Sequence, residues 1–227
     1  MSYAKTGNRR FDIQWSGDVV VVGAGIVGLA VAREILRRHP SIRLAVLDKE
    51  DDIAQHQTGH NSGVIHSGIY YQPGSFKAKA CVAGAAQMLQ FCEERGIHYE
   101  RCGKVIIATE EEELPRLYDL LERGNANGCP ELRIIDHDEL KELEPHATGI
   151  KALLSPNTGI VDYRHVAAAY AEDIRRSGGE ILTSHEVHAI HQRVAGTVLE
   201  TTGGFFQAKR VVTCGGLWSD RVAQLTG

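Results

Sequence analysis

The chain has 227 residues, 43% of them hydrophobic and 24% charged, with 24 Gly and 6 Pro. This is ordinary globular composition, which excludes disorder and collagen-like repeats, and a net charge of −4 argues against a nucleic-acid partner. No apolar run reaches the ~18 residues of a membrane helix, and five cysteines without a CxxC pair read as reduced, mostly buried thiols with no metal site.

Residues 1–17 carry Lys5, Arg9 and Arg10 without an apolar stretch, so they read as a flexible polar arm and not a secretory signal. Order is expected from Asp18. Val19 to Val22 is a continuous β-branched run, as in a parallel strand covered on both faces. Gly23-Ala24-Gly25-Ile26-Val27-Gly28 follows at once. Leu29 to Arg38 has helical apolar spacing and is stopped by His39-Pro40; Ile42 to Leu47 is a second buried strand ending at Asp48. The order is strand, tight turn, helix, strand: a βαβ unit.

Residues 51–74 are polar and glycine-rich and read as an ordered loop. Ser75 to Arg95 is a long helix with Ser75 as N-cap and Gly96 as stop. Lys104–Thr109 is a strand, and Glu110–Ala126 a solvated helix with its glutamates in the first turn. Short strands are expected at 152–154 and 160–161 around Pro156-Asn157, and a helix at 164–177. Strands follow at 180–183, 186–190, 197–201 and 205–208, the last two joined by Gly203-Gly204. A final buried strand, 210–213, runs into Cys214-Gly215-Gly216. Helices alternating with strands give an α/β class.

Three segments carry chemistry. In the first, Gly23 makes a tight turn, Gly25 lets backbone approach a pyrophosphate, and Gly28 allows close helix–strand packing. Asp48, 20 positions after the last of these glycines, suits a ribose hydroxyl. Lys49 beside it suggests a 2′-phosphate site or, more simply, a solvated lysine. The second segment is Gln57-Thr58-Gly59-His60-Asn61-Ser62-Gly63-Val64-Ile65-His66-Ser67-Gly68, where small and polar residues let backbone lie against a flat ligand such as a flavin. The third, Val211 to Ser219, is either a second backbone approach to a dinucleotide or a plain strand-to-helix turn.

His185, His188 and His191 do not form a metal set if strand alternation turns His188 away from the other two. His66 has two readings of equal standing: a base that takes a hydroxyl proton, or a hydrogen-bonded structural histidine.

Together, Gly23–Gly28, Asp48, Thr58–Gly63 and Thr213–Ser219 resemble the D-amino-acid-oxidase-type FAD oxidoreductases. Within them, His56 to Tyr71, Cys102-Gly103-Lys104 and Gly159 to Arg164 resemble the L-2-hydroxyglutarate dehydrogenase/oxidase family over roughly residues 18–227. The resemblance implies a Rossmann-like FAD-binding domain with a parallel sheet (18–96 and 162–227) and part of a β-rich substrate domain (97–161). Family chains are roughly twice this length, so the rest of the substrate domain is expected to lie outside this chain.

The implied cofactor is FAD, held noncovalently, although some relatives attach flavin through a histidine in a setting like that of His60. The implied cofactor contacts are Gly23, Ala24, Gly25, Ile26, Val27, Gly28, Asp48, Lys49, Thr58, His60, Asn61, Ser62, Cys214, Gly215 and Gly216, with Val187 offering backbone to the adenine. Tyr71, Lys104 and Arg164 are the candidates for a dicarboxylate substrate.

The implied reaction oxidises L-2-hydroxyglutarate to 2-oxoglutarate by hydride transfer to flavin N5, with oxygen or a quinone-linked acceptor taking the electrons. Two alternatives stay open: a related flavin oxidase for an amino acid or glycerol 3-phosphate, and a non-catalytic FAD-binding fragment. A cytoplasmic location, with peripheral attachment to an inner membrane, is expected, or a mitochondrial one for a eukaryotic protein. The strands near Lys104–Thr109 and Ala152–Leu154 are expected to lack partners, leaving the isolated chain prone to associate and inactive.

Overall fold

The computed structural model describes residues 11–226. Two compact units share the chain: the described residues up to Asn61 with those from Tyr163 onward, and Ser62–Asp162 between them. The second unit thus takes residues 62–96, which the sequence reading grouped with the cofactor domain.

The first unit is built on β1 (Ile13–Val22), α1 (Ile26–Arg38), β2 (Leu44–Leu47), α5 (Tyr163–Arg176), β9 (Glu180–Leu182), β10 (Val187–Arg193), β11 (Gly196–Thr201), β12 (Gly204–Thr213) and α6 (Ser219–Gln224). Its six strands form one sheet in the order β10-β11-β12-β1-β2-β9. The run from β12 to β9 is parallel, and β10-β11-β12 is antiparallel. Helices α1 and α5 cover one face, where Leu29, Ala32 and Leu36 meet Ala167, Ala171 and Ile174 over Val19, Val21 and Val46. The other face gathers Trp15, Val20, Val22, Leu47, Leu199 and Phe206. Burial on both faces is why β1 and β2 read as unbroken apolar runs.

Two expectations are corrected here. Residues 13–17 are not an arm: they extend β1 and pair with Phe205–Ala208. Trp15 anchors them, 5% exposed, with its indole N–H donating to Glu180 Oε1 at 2.5 Å. An alternation of one buried and one exposed side chain per step hides such a strand among polar residues. Residues 1–10 of the expected arm lie outside the described residues. Second, the separate strands at 205–208 and 210–213 are one strand, β12. Its first half pairs with β11 while its whole length pairs with β1.

The second unit holds β3 (Val64–Ile65), α2 (Phe76–Arg95), β4 (Tyr99–Glu100), β5 (Lys104–Ala108), α3 (Leu114–Ala126), β6 (Arg133–Asp136), α4 (His137–Leu143), β7 (Lys151–Ser155) and β8 (Gly159–Val161). They form two three-stranded sheets, β3-β8-β4 and β5-β7-β6. Ser75 Oγ accepts from Ala78 N–H at the start of α2, and Gly96 closes it at φ +63°. The strands expected to lack partners have them: β7 is central, bonded to β5 on one side and β6 on the other. The glutamate run is a short 3-10 turn, Glu111–Glu113, ahead of α3, because Pro115 belongs to a first helical turn.

The three histidines also depart from the expected alternation. A register shift between Val187 and Ala189 breaks the alternation in β10. His188 Nε2 therefore lies 3.7 Å from Glu200 Oε1 while His191 Nε2 lies 3.2 Å from Glu200 Oε2. His185 is apart from them, edge-on to Phe206 with Nδ1 2.6 Å from Thr183 O. Among the described residues no group of three or more His, Cys, Asp or Glu could hold a metal ion, and no helix is long and apolar enough to cross a membrane. Of the cysteines, Cys92 and Cys129 are buried, Cys81 and Cys214 half-buried and Cys102 exposed.

Candidate functional site

In the first unit the site forms where β1, β2 and β12 end. The turn after β1 is set by backbone: Gly23 N–H donates to Leu47 O at 2.7 Å, and Gly23 has φ +111°. A Cβ on Gly23 would lie 2.4 Å from Cys214 O, and one on Gly28 would lie 1.9 Å from Gly23 O. Both glycines are demanded by the protein's own packing.

Gly25 is different. Its φ is −75°, and a Cβ there would meet only Thr58 Oγ1, at 3.4 Å. Nothing in the protein forbids a side chain, so glycine keeps open the space before the α1 N-terminus. That opening, with the positive end of a helix behind it, fits a pyrophosphate.

Two distant side chains finish the turn. Asp48 Oδ2 accepts from Ala24 N–H at 2.6 Å and Oδ1 from Glu50 N–H at 3.0 Å. Thr58 Oγ1 accepts from Ile26 N–H at 2.9 Å. Gly25, the N-cap of α1, has no side chain to cap the helix, and Thr58 supplies the missing acceptor from another loop. Thr58→Val is expected to lower stability by about 1 kcal/mol, with Thr58→Ser restoring most of it. Equal melting temperatures for the Val and Ser variants would remove this capping role.

The third segment joins the same place. Cys214 N–H donates to Val22 O at 2.7 Å, and its carbonyl packs on Gly23. Gly215 caps a 3-10 turn, Gly216–Trp218, and Gly216 sits at φ +55°. Val187 opens β10 and packs against the cluster that contains Val22 and Leu47. His185 N–H donates to Asp48 O at 2.7 Å, so the segment leading into Val187 lies beside the end of β2. Val27, 63% exposed, faces out from the first turn of α1. His60 Nδ1 lies 2.9 Å from His56 O, and Asn61 Nδ2 donates to Gln57 O and Thr58 O at 2.9 and 2.8 Å.

Lys49 is not a solvated lysine. Its ammonium is paired with the Glu50 carboxylate, lies 3.2 Å from His56 Nε2 and sits 4.5 Å from the Trp218 ring centroid. The His56 ring is 4.7 Å from the same indole, and His56 Nε2 is 2.7 Å from Glu50 Oε1. Lys49, followed by His56, holds the Glu50 carboxyl below its usual value. This four-residue cluster ties the third segment to the end of β2 and occupies the cation that a 2′-phosphate would need. Sequence inspection missed Glu50, His56 and Trp218 as a group, since 168 positions separate the outermost two.

Arg164, at the start of α5, is also in the first unit; its Cδ would lie 3.5 Å from a Cβ on Gly59. Ser62, His66, Tyr71 and Lys104 belong to the second unit. Ser62 is exposed. His66 is exposed, and its imidazole has no hydrogen bond among the described residues. Lys104 Nζ donates to Tyr70 Oη at 3.2 Å and lies 4.5 Å from that ring's centroid. It has no carboxylate partner among the described residues. Tyr70, absent from the sequence-based candidates, thus joins Lys104.

A family model described as FAD dependent oxidoreductase (DAO) matches residues 18–227. The mitochondrial L-2-hydroxyglutarate dehydrogenase of Homo sapiens is 50% identical over 224 residues, covering 93% of this chain and 48% of that protein. The L-2-hydroxyglutarate dehydrogenase of Indibacter alkaliphilus is 47% identical over 207 residues, covering 91% and 52%. Among solved structures, the FAD-bound L-alpha-glycerophosphate oxidase of Mycoplasma pneumoniae superposes with a TM-score of 0.85 at 26% identity, over 92% of this chain and 56% of that one. The glycine oxidase of Geobacillus kaustophilus gives 0.81 at 28% identity, over 94% and 59%. The chain spans about half the length of the curated relatives it matches.

Proposed function

Because the chain belongs to the FAD dependent oxidoreductase family, we propose that it serves the FAD-dependent oxidation of L-2-hydroxyglutarate to 2-oxoglutarate. The observation that carries the cofactor part is Gly25, the one glycine of its turn that the protein's own packing does not require. The identity of about half the residues with two L-2-hydroxyglutarate dehydrogenases supports the substrate.

When bound, FAD supplies the two-electron sink that no protein side chain offers. The chain's residues do the rest. The α1 N-terminus and the clear space at Gly25 receive the pyrophosphate. Asp48 accepts from a ribose hydroxyl, and Val187 backbone meets the adenine. Thr58, His60, Asn61 and Ser62 hold the middle of the cofactor, and Cys214 to Gly216 approach it with backbone. His66 takes the substrate's hydroxyl proton, which an exposed imidazole without a hydrogen-bond partner among the described residues is free to do. Lys104 and Tyr71 in the second unit and Arg164 in the first are the residues proposed for the carboxylates, and Lys104 brings an ammonium that no carboxylate of the described residues neutralises. The electron acceptor would be oxygen or a quinone-linked compound. By analogy with the relatives from animals, a eukaryotic protein of this kind acts in mitochondria.

The test is a visible absorption spectrum of the protein loaded with FAD, recorded without oxygen. L-2-Hydroxyglutarate should bleach the flavin band, and glycine, L-proline and glycerol 3-phosphate should not. Bleaching by one of those three and not by L-2-hydroxyglutarate would overturn the substrate, and failure to take up FAD would overturn the cofactor site.

A further inference from the structure

In the second unit the segment His66–Tyr71 follows the two-residue strand β3 and has no regular structure of its own. Its carbonyls are nonetheless claimed by side chains. Cys81 Sγ, on α2, donates to His66 O at 3.2 Å, and Cys129 Sγ donates to Ser67 O at 2.9 Å. Arg123 Nη1, near the end of α3, donates to Tyr70 O at 3.2 Å. Asn127 Nδ2 donates twice, to Gly68 O at 3.0 Å and to Tyr71 O at 2.8 Å. Burial, foremost, pushes both thiols up, with Lys104 partly opposing it, so they stay protonated and able to donate.

The side chains of the segment divide by direction. Ser67 Oγ closes a buried ring of hydroxyls with Ser155 and Thr158, with spacings of 3.3, 3.1 and 3.4 Å. Ile69 enters the core beside Ala108, Leu117 and Leu153. His66, Tyr70 and Tyr71 stay exposed. The inward residues and the carbonyl donors thus fix the backbone from which the three outward side chains project.

Asn127 has the central place among the donors. One amide nitrogen spans the first and last carbonyls of the turn Gly68–Tyr71, where Gly68 sits at φ +100°. Turning the amide over would set its oxygen against two carbonyl oxygens, so the hydrogen bonds fix its orientation. Asn127 Oδ1 is buried without a partner among the described residues, a cost accepted for holding both carbonyls. The backbone N–H of Asn127 separately closes α3, donating to Arg123 O and Gly124 O at 3.0 and 3.2 Å, and a change of side chain leaves those bonds intact.

We propose that Asn127 is a positioning residue: through Gly68 O and Tyr71 O it sets the direction of the His66 imidazole and the Tyr70 phenol. This rests on the reading of His66 as the proton acceptor. Asn127 touches no reacting atom and acts through the loop alone. Its contribution is orientation, which catalysis rewards steeply because a misplacement of about 1 Å costs on the order of 10²-fold in rate.

The test is Asn127→Asp in the whole protein. The change keeps the shape and removes both donated hydrogens. Ring NMR signals of His66, assigned by their loss in His66→Ala, report the loop directly and need no turnover. In Asn127→Asp they are expected to shift and broaden relative to wild type at the same pH. In the FAD-loaded protein, flavin reduction at saturating L-2-hydroxyglutarate is expected to slow by about 10- to 100-fold with KM within about twofold. Asn127→Ser, which keeps one donor, should fall between, and is read the same way if the Asp variant does not fold. Wild-type His66 signals in a folded variant, with a lowered melting temperature only, would overturn the proposal. A wild-type rate of flavin reduction in His66→Ala, with the ring signals still disturbed in Asn127→Asp, would instead remove the base role and leave the positioning of the loop standing.

Discussion

Gly28→Ala will destabilise the first unit severely, whereas Gly25→Ala will leave it folded and weaken FAD binding. A methyl at position 28 lands 1.9 Å from Gly23 O and 3.0 Å from Gly23 C, both backbone atoms. Gly23 has nowhere to go. Its N–H is bound to Leu47 O, its φ is +111°, and the far side of its Cα is closed by Cys214 O. The clash therefore passes from α1 through β1 into the end of β12. Overpacking against backbone costs about 3 kcal/mol or more, which lowers the melting temperature of a chain this size by roughly 6–12 °C. At position 25 the nearest atom is Thr58 Oγ1 at 3.4 Å, so the same methyl should move the melt by no more than about 2 °C. It should nevertheless cost at least about tenfold in FAD affinity, because it occupies the space a pyrophosphate needs. Thermal melts beside an FAD titration check both halves. The reverse order, with Gly25→Ala the less stable and the better binder, would refute the assignment.

Asp48→Ala is expected to lose on both counts at once. The carboxylate holds Ala24 N–H and Glu50 N–H, and each charge-assisted bond is worth roughly 1.5–3 kcal/mol. The bonds share one residue and do not add in full, so a stability loss of about 2–4 kcal/mol is expected. FAD affinity should fall by at least about tenfold, through the lost ribose contact and through a turn no longer held in shape. Asp48→Asn separates these contributions. It keeps one acceptor for the turn and loses the charge, so it should be the more stable variant of the two while binding FAD nearly as weakly. Wild-type FAD affinity in either variant would end the ribose role.

The βαβ unit was legible because its signals are local. A β-branched run, three glycines and an acidic residue at the end of the second strand all fall between Val19 and Asp48. Thr58 was legible as a candidate but not as the cap of α1, since 32 positions separate it from Ile26. The exposed-buried alternation around Trp15 was a readable strand signal overlooked beside the stronger run after it. α4 also left a sign: Asp136 accepts from Glu139 N–H at 3.0 Å, the first half of a capping box visible as Asp-x-x-Glu. The bulge that turns His188 and His191 toward one glutamate has no such mark, because register depends on the partner strand. The same holds for Asn127, whose acceptors at Gly68 and Tyr71 lie more than fifty positions away.

The pairing of β1 with β12 has a consequence for the nascent chain. Ile13 is among the first described residues to leave the ribosome, and its sheet partner Phe205 among the last. At about 5–20 residues per second, some 10–40 s pass between the two. For that interval β1 can pair with β2 on one side, while its other edge offers a row of open N–H and C=O groups. Closing it requires a contact across nearly the whole chain, which is slow by topology. The burden during synthesis therefore falls on whatever shields that edge in the cell, and mutations that weaken β12 should reduce soluble yield before they alter any property of the protein that does fold.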